Sequence, residues 1–208
     1  MEVLNKILGA AIDLFRQYGF KSITMDDIAR KAGISKKTLY QHFANKNEVI
    51  KESILWLKNS ISETCIAQTN QSENAIEAFV KVMVVFGEVN RKMNPIAIFE
   101  MERFFPDCFK MFRESILKDD VIRLTENLKK GIEEGLYRED INVSFMALYR
   151  LDLSMLPFNP NLLLNHVYQL YEINNEVSEH FLYGIMTDKG VKQYKKYKEK
   201  YLKQVPTI

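Results

Sequence analysis

The sequence predicts an all-α protein, a small N-terminal head carrying a helix-turn-helix followed by a larger helical body. Two observations carry that expectation. Apolar residues recur at three- and four-residue spacing through most of the chain. Glycine and proline, eight and five in 208 residues, are too sparse to break it at more than a few connections. A 47% hydrophobic and 27% charged composition supplies a core that needs neither disulfides nor metal.

The elements follow in order. Val3, Leu4, Ile7, Leu8, Ala11, Ile12 and Phe15 mark one face of a first helix, which should end at Gly19 in a left-handed cap with Phe20 folded back on its last turn. Thr24 caps a second helix, with Asp27 as the acid of its first turn, Ile28, Ala29 and Ala32 facing inward, and Gly33 as its stop. Ile34 fills the turn, and Ser35 caps a short third helix to about Phe43. Asn45 with Glu48 starts a fourth, about 46–67, that connects head to body. The head is therefore expected at 1–50 and the body at 68–208, with the polar interval Gln68–Asn74 between them. Within the body, helices are expected at about 73–93, 95–105 (started by Pro95), from Pro106 to Lys130, at 142–156 and at 161–186. A lysine-rich tail closes the chain.

Charge and cysteine usage narrow the function classes. Residues 1–50 hold eight Lys/Arg against five acids, a net of +3, whereas the rest is −1. Between Lys31 and Lys46 there is no acid at all, which places the basic surface where a nucleic acid would need it. The N-terminus lacks the apolar run of a signal peptide, and no stretch is long enough to span a bilayer. Cys65 and Cys108 fit no zinc or redox spacing, so a cytoplasmic protein without membrane association is expected. His166 and His180 lie fourteen residues apart, too far for a compact metal site. No catalytic set of residues stands out, so neither an enzyme nor a cofactor is expected.

Two short helices joined by a tight glycine turn, with a third to support them, form the helix-turn-helix plan. Ala29 and Ala32 permit close approach, and Leu39 and Phe43 bury one face of the third helix. The opposite face carries Lys36, Lys37, Thr38, Tyr40, Gln41 and His42: cations for phosphates and hydrogen-bonding groups for base edges. Free amides at that helix's start favour a phosphate, and Lys46 repeats the arrangement at the next. Each residue has a plainer reading beside it. Lys36 and Lys37 also suit a solvated face, Tyr40 a partly buried core position, and Thr24 and Ser35 simple caps.

The run from Thr24 to Lys46, with Ala32-Gly33-Ile34-Ser35, Thr38-Leu39-Tyr40, His42-Phe43 and Asn45-Lys46 in register, resembles the signature of the tetracycline-repressor (TetR) family. The likeness covers roughly residues 4–50. It implies a homodimer with a DNA-binding head and a ligand-sensing, dimerising body, releasing a palindromic double-stranded operator when a small apolar or amphipathic effector binds. By position, Thr24, Tyr40 and Lys46 would hold phosphates, and Lys36, Lys37, Thr38 and Gln41 would face base edges. Ser35 would sit at the same helix start, with His42 at the backbone or steadying Tyr40. Lys37 departs from the small residue expected there, which suggests a longer reach into the groove or one more phosphate contact.

The body is less specific. Residues 79–112 are rich in Phe and Met, as an apolar pocket or any helical core would be. With the resemblance in view, Phe86, Phe99, Arg103, Phe104, Phe109 and Phe112 are the pocket candidates. The helices near 142–156 and 161–186 are the candidates for a two-fold bundle. Lys189–Lys203 holds seven lysines against one acid, interleaved with Tyr194, Tyr197 and Tyr201. It suits either an anionic partner or a solvated helix lying on the body. Competing readings are an activator, a regulator controlled by a partner protein, an enzyme behind a vestigial head, and a helical interaction module that does not bind DNA.

Overall fold

The computed structural model describes residues 2–94, 96–159 and 169–202, excepting the side chains of residues 117 and 157. Its helices are α1 (Glu2–Tyr18), α2 (Met25–Ala32), α3 (Lys36–His42), α4 (Lys46–Asn70), α5 (Ala75–Arg91), α6 (Ala97–Phe104), α7 (Pro106–Glu133), α8 (Val143–Leu153), α9 (Leu170–Ile185) and α10 (Asp188–Tyr197). A 3-10 turn at Leu156–Phe158 follows α8, and a π-type turn at Lys198–Leu202 follows α10. The only extended pairing among the described residues is an isolated bridge between Tyr137 and Met186. The fold is all-α, as expected. Pro95, His166 and the first part of the helix expected at 161–186 lie outside the described residues.

The chain divides into two compact units, one of residues 1–61 and 92–115, the other of 62–91 and 116–208. In the first, Ile7, Ala11 and Phe15 of α1 are closed to solvent, as are Ile28, Leu39, Val49 and Ile50. Val3 and Leu4 are exposed, so the inward stripe of α1 begins at Ile7. Gly19 follows α1 at φ 80°, and the ring of Phe20 stacks on Phe15 with centroids 4.8 Å apart.

Residues 92–115 join this unit because they complete its chain ends. Asn94 donates its backbone N–H to the carbonyl of Arg16 at 2.7 Å and its side-chain amide to that of Gln17 at 3.2 Å. Carbonyls at a helix C-terminus have no partner within the helix, so Asn94 supplies what α1 lacks. On α6, Glu100 accepts the backbone N–H of Lys21 at 3.0 Å. The ring of Phe105 lies 6.5 Å from that of Phe20.

The second unit is built around α5. Ile76, Phe79, Val80 and Met83 form a buried face against Phe181, Leu182 and Ile185 of α9 and Tyr194 and Tyr197 of α10. The lysine-rich tail thus contributes to this core through its tyrosines and leaves Lys189, Lys192, Lys195, Lys196 and Lys200 exposed. Gly190 brings α10 so close to the turn after α7 that a Cβ there would collide with the carbonyl of Leu136.

A buried carboxylate, Glu77, anchors the last turn. It accepts from the Tyr201 hydroxyl at 2.6 Å and from the Glu73 N–H at 2.6 Å, with Lys81 at 3.8 Å and Lys200 at 3.7 Å. Burial works against its charge, but those hydrogen bonds and lysines outweigh it and hold its pKa below the ordinary carboxylate value. A depressed folded pKa gives stability that is present at neutral pH and lost as pH falls through that value. Glu77→Gln is therefore expected to cost about 1–3 kcal/mol at pH 7. In denaturant titrations repeated at falling pH, the gap from wild type should close below the ordinary carboxylate range.

Candidate nucleic-acid interface

Local chemistry sets the two helices of the motif. Thr24 stands before α2 in extended conformation and accepts the N–H of Asp27 at 3.2 Å. Asp27 answers by accepting the Thr24 N–H at 3.0 Å and its hydroxyl at 2.6 Å. The Thr24 hydroxyl, then its N–H, hold the Asp27 carboxyl below its usual pKa. Gly33 ends α2 at φ 66°, a left-handed position where a side chain would be strained, and the N–H of Ile34 reaches back to Ala29 O at 3.0 Å.

Helix α3 is capped by Ser35, which accepts from the Thr38 N–H at 3.0 Å and pairs with the Thr38 hydroxyl at 2.8 Å. Leu39 is fully buried and Phe43 nearly so. The remaining side chains are thereby turned outward: Lys36, Lys37, Gln41 and His42 are exposed, and Tyr40 is 47% exposed, which sets aside the core reading for that ring. Thr38 is half-buried at the edge of the same face.

Two of the expected cations have partners. Lys36 Nζ lies 2.8 Å from Asp26 Oδ1, and this hydrogen-bonded pairing raises its pKa. Lys46 donates to the carbonyl of Lys21 at 3.2 Å and sits 5.3 Å from the centre of the Phe105 ring. Burial lowers its pKa, offset in part by Glu100 and Asp27. The start of α4 is tied down as well: Asn45 accepts the Glu48 N–H at 3.1 Å, and Glu48 accepts that of Ala44 at 2.8 Å. The face thus joins Lys37, Tyr40 and Gln41, projecting freely, to Lys36, Thr24 and Lys46, fixed by the protein itself. Asp26 was not foreseen as a member. It stands ten residues before Lys36, and nothing in the sequence announces that the glycine turn brings them together.

Residues 7–52 match the family described as bacterial regulatory proteins, tetR family. This stretch belongs to the TetR family of regulators, and its motif is a DNA-binding helix-turn-helix. Among curated relatives, the biofilm operon icaADBC HTH-type negative transcriptional regulator IcaR of Staphylococcus aureus strain Newman is 30% identical over 82 residues. Those residues are 39% of this chain and only 44% of that relative. The HTH-type transcriptional repressor KstR2 of Mycobacterium tuberculosis is 27% identical over 154 residues, 71% of this chain and 76% of its own length. The solved structure of the fatty acid degradation regulator FadR from Bacillus halodurans superposes with a TM-score of 0.70 over 88% of this chain and 95% of that one. At 17% identity, that likeness concerns the fold alone.

The pocket candidates are divided between the units. Phe86 belongs to the second unit, whereas Phe99, Arg103, Phe104, Phe109 and Phe112 belong to the first. Phe86, Phe99 and Phe104 are exposed, and the Arg103 guanidinium lies about 6 Å from the rings of Phe99 and Phe104. Among the described residues, no helix is long and apolar enough to cross a membrane.

Thr24→Ala removes both halves of the reciprocal cap on α2 and is expected to lower stability by about 1 kcal/mol, Thr24→Ser far less. Urea midpoints at pH 7 check this.

Proposed function

We propose that the chain is a homodimeric transcriptional repressor acting in the cytoplasm. Two copies dock α3 in successive major grooves of a palindromic operator, and a small effector bound by the body releases them. The observation that carries this reading is the exposed row of Lys37, Tyr40 and Gln41 on α3, held outward by the burial of Leu39 and Phe43. Such a row offers hydrogen-bonding groups to base edges and phosphates over a rigid backing. Thr24, Lys36 and Lys46 flank it, already oriented by capping, Asp26 and the Lys21 carbonyl. Repression follows the two curated relatives, a negative transcriptional regulator and a transcriptional repressor.

The dimer is supported by an apolar stripe left open among the described residues. Phe145, Leu148 and Tyr149 lie three and four residues apart on α8 and are 60%, 51% and 45% exposed, with Tyr183 of α9 also open. Monomeric proteins seldom leave such a stripe wet, and a two-fold pairing covers it with itself. An effector then acts by favouring the dimer whose recognition helices no longer fit the half-site spacing, for which a discrimination of about 1–3 kcal/mol suffices.

Selection of bound duplexes from a random pool at near-physiological salt should enrich a two-fold-symmetric site. On that site, Lys37→Ala and Gln41→Ala should each cost about 1–3 kcal/mol and relax sequence preference, whereas Lys46→Ala should weaken all sequences alike and flatten the salt dependence by about one unit per half-site. Enrichment of unrelated sequences by the folded protein would refute the reading. Sedimentation gives the second test: Phe145→Glu with Leu148→Glu should turn a dimer into a folded monomer.

A further inference from the structure

Arg150 of α8 is half-buried in the second unit and has no counter-ion among the described residues. Its Nη2 donates to Ser178 Oγ of α9 at 2.7 Å. Its guanidinium lies 5.7 Å from the Phe79 ring centre and 5.9 Å from that of Phe181. Its Nε is closed to solvent and has no hydrogen-bond partner among the described residues. Burial pushes the guanidinium down to about 10, so it stays charged at neutral pH.

Aromatic faces soften the cost of such a charge but do not cancel it. The same neighbourhood holds a second unanswered donor. Asn174, one turn before Ser178 on α9, is 5% exposed, and its Nδ2 finds no acceptor among the described residues. The Ser178 hydroxyl donates to the Asn174 carbonyl at 2.7 Å and accepts from Arg150, not from this amide.

The walls around these donors are apolar. Tyr149 lies 6.5 Å from Phe181, and Phe181 stacks on Phe79 at 5.9 Å. Along α5 the row Phe79–Met83 continues to Gly87, which is buried, yet a Cβ there would meet no atom of the described residues within 4 Å. Among the described residues, an apolar helix face with room beside it thus runs on from a cation whose Nε has no partner.

We propose that Arg150 anchors the effector of the body, and that this effector is an apolar molecule ending in a carboxylate. The proposal rests on the effector-responsive reading given above. A carboxylate matches the guanidinium fork and brings one negative charge to one positive. A phosphate dianion would leave a second charge unpaired among aromatic rings, and a neutral ligand would leave Arg150 as it stands. The acyl or aryl portion would lie along Phe79 and Met83 toward Gly87.

Isothermal titration of the full chain tests this with octanoate and 4-phenylbutanoate against octan-1-ol and 4-phenylbutan-1-ol. The wild type is expected to prefer at least one acid over its alcohol by about tenfold or more. Arg150→Met keeps the apolar volume and should abolish the preference, with a melting temperature equal to or above wild type because an uncompensated charge is gone. If that variant does not fold, Arg150→Lys keeps the charge without the fork and should weaken the acid alone. Gly87→Leu fills the room beside α5 and should weaken acid and alcohol together while preserving helix content. Equal affinity for each acid and its alcohol, a preference that survives Arg150→Met, or no binding of any probe at about 5 mM overturns the proposal. Binding of a selected operator without carboxylate binding would sink this inference alone. Carboxylate binding through Arg150 by a protein that selects no operator would keep this site and sink the repressor reading.

Discussion

A helix of seven residues does not hold itself together in water. Everything that α3 presents depends on what fixes it from outside: Ser35 closing its first turn, and Leu39 and Phe43 sunk into the core of the first unit. Leu39 does most, since a fully buried leucine supplies about 1.5–3 kcal/mol, comparable to the cost of ordering one or two residues of backbone. The direction of Lys37, Tyr40 and Gln41 is therefore a by-product of apolar packing. The polar face is only as well aimed as the apolar one is well seated.

The same unit is reinforced from a distant part of the chain. The last carbonyls of α1 are answered by Asn94, and the turn after α1 by Glu100. Lys46 then leans on that turn through the Lys21 carbonyl and over the Phe105 ring. Three groups otherwise left wanting partners (helix-end carbonyls, a turn amide and a half-buried ammonium) meet at one corner. The head is thereby larger than its motif, because residues 92–115 supply what residues 1–61 lack.

Legibility in the sequence followed the range of the forces. Caps act over three or four residues, so Thr24 with Asp27, Gly33, Ser35 and Asn45 with Glu48 could all be read directly, and the helix starts near them were right. Val3 and Leu4 fit the stripe of α1 by spacing but are exposed, because periodicity says which face a residue shares and not how far the core extends. The pairing of Lys36 with Asp26 and the docking of Asn94 depend on tertiary approach, which no local pattern encodes. The Phe- and Met-rich stretch drew attention to residues 86–112, whereas the unanswered donors sit on Arg150 and Asn174. Arginine on a helix reads as a surface residue until its neighbours are known. The tail showed the converse: its lysines suggested an outer face, and its tyrosines, at three- and four-residue spacing, are what the core uses.

That use of the tail bears on the order in which the chain is made. Tyr194 and Tyr197 close over α5, whose Ile76 and Val80 leave the ribosome more than a hundred residues earlier. Until α10 emerges, the apolar face of α5 has no complete cover, and Glu77 lacks the Tyr201 hydroxyl and Lys200 that make its charge tolerable. The second unit must therefore wait, half-assembled and sticky, while more than a hundred further residues are added.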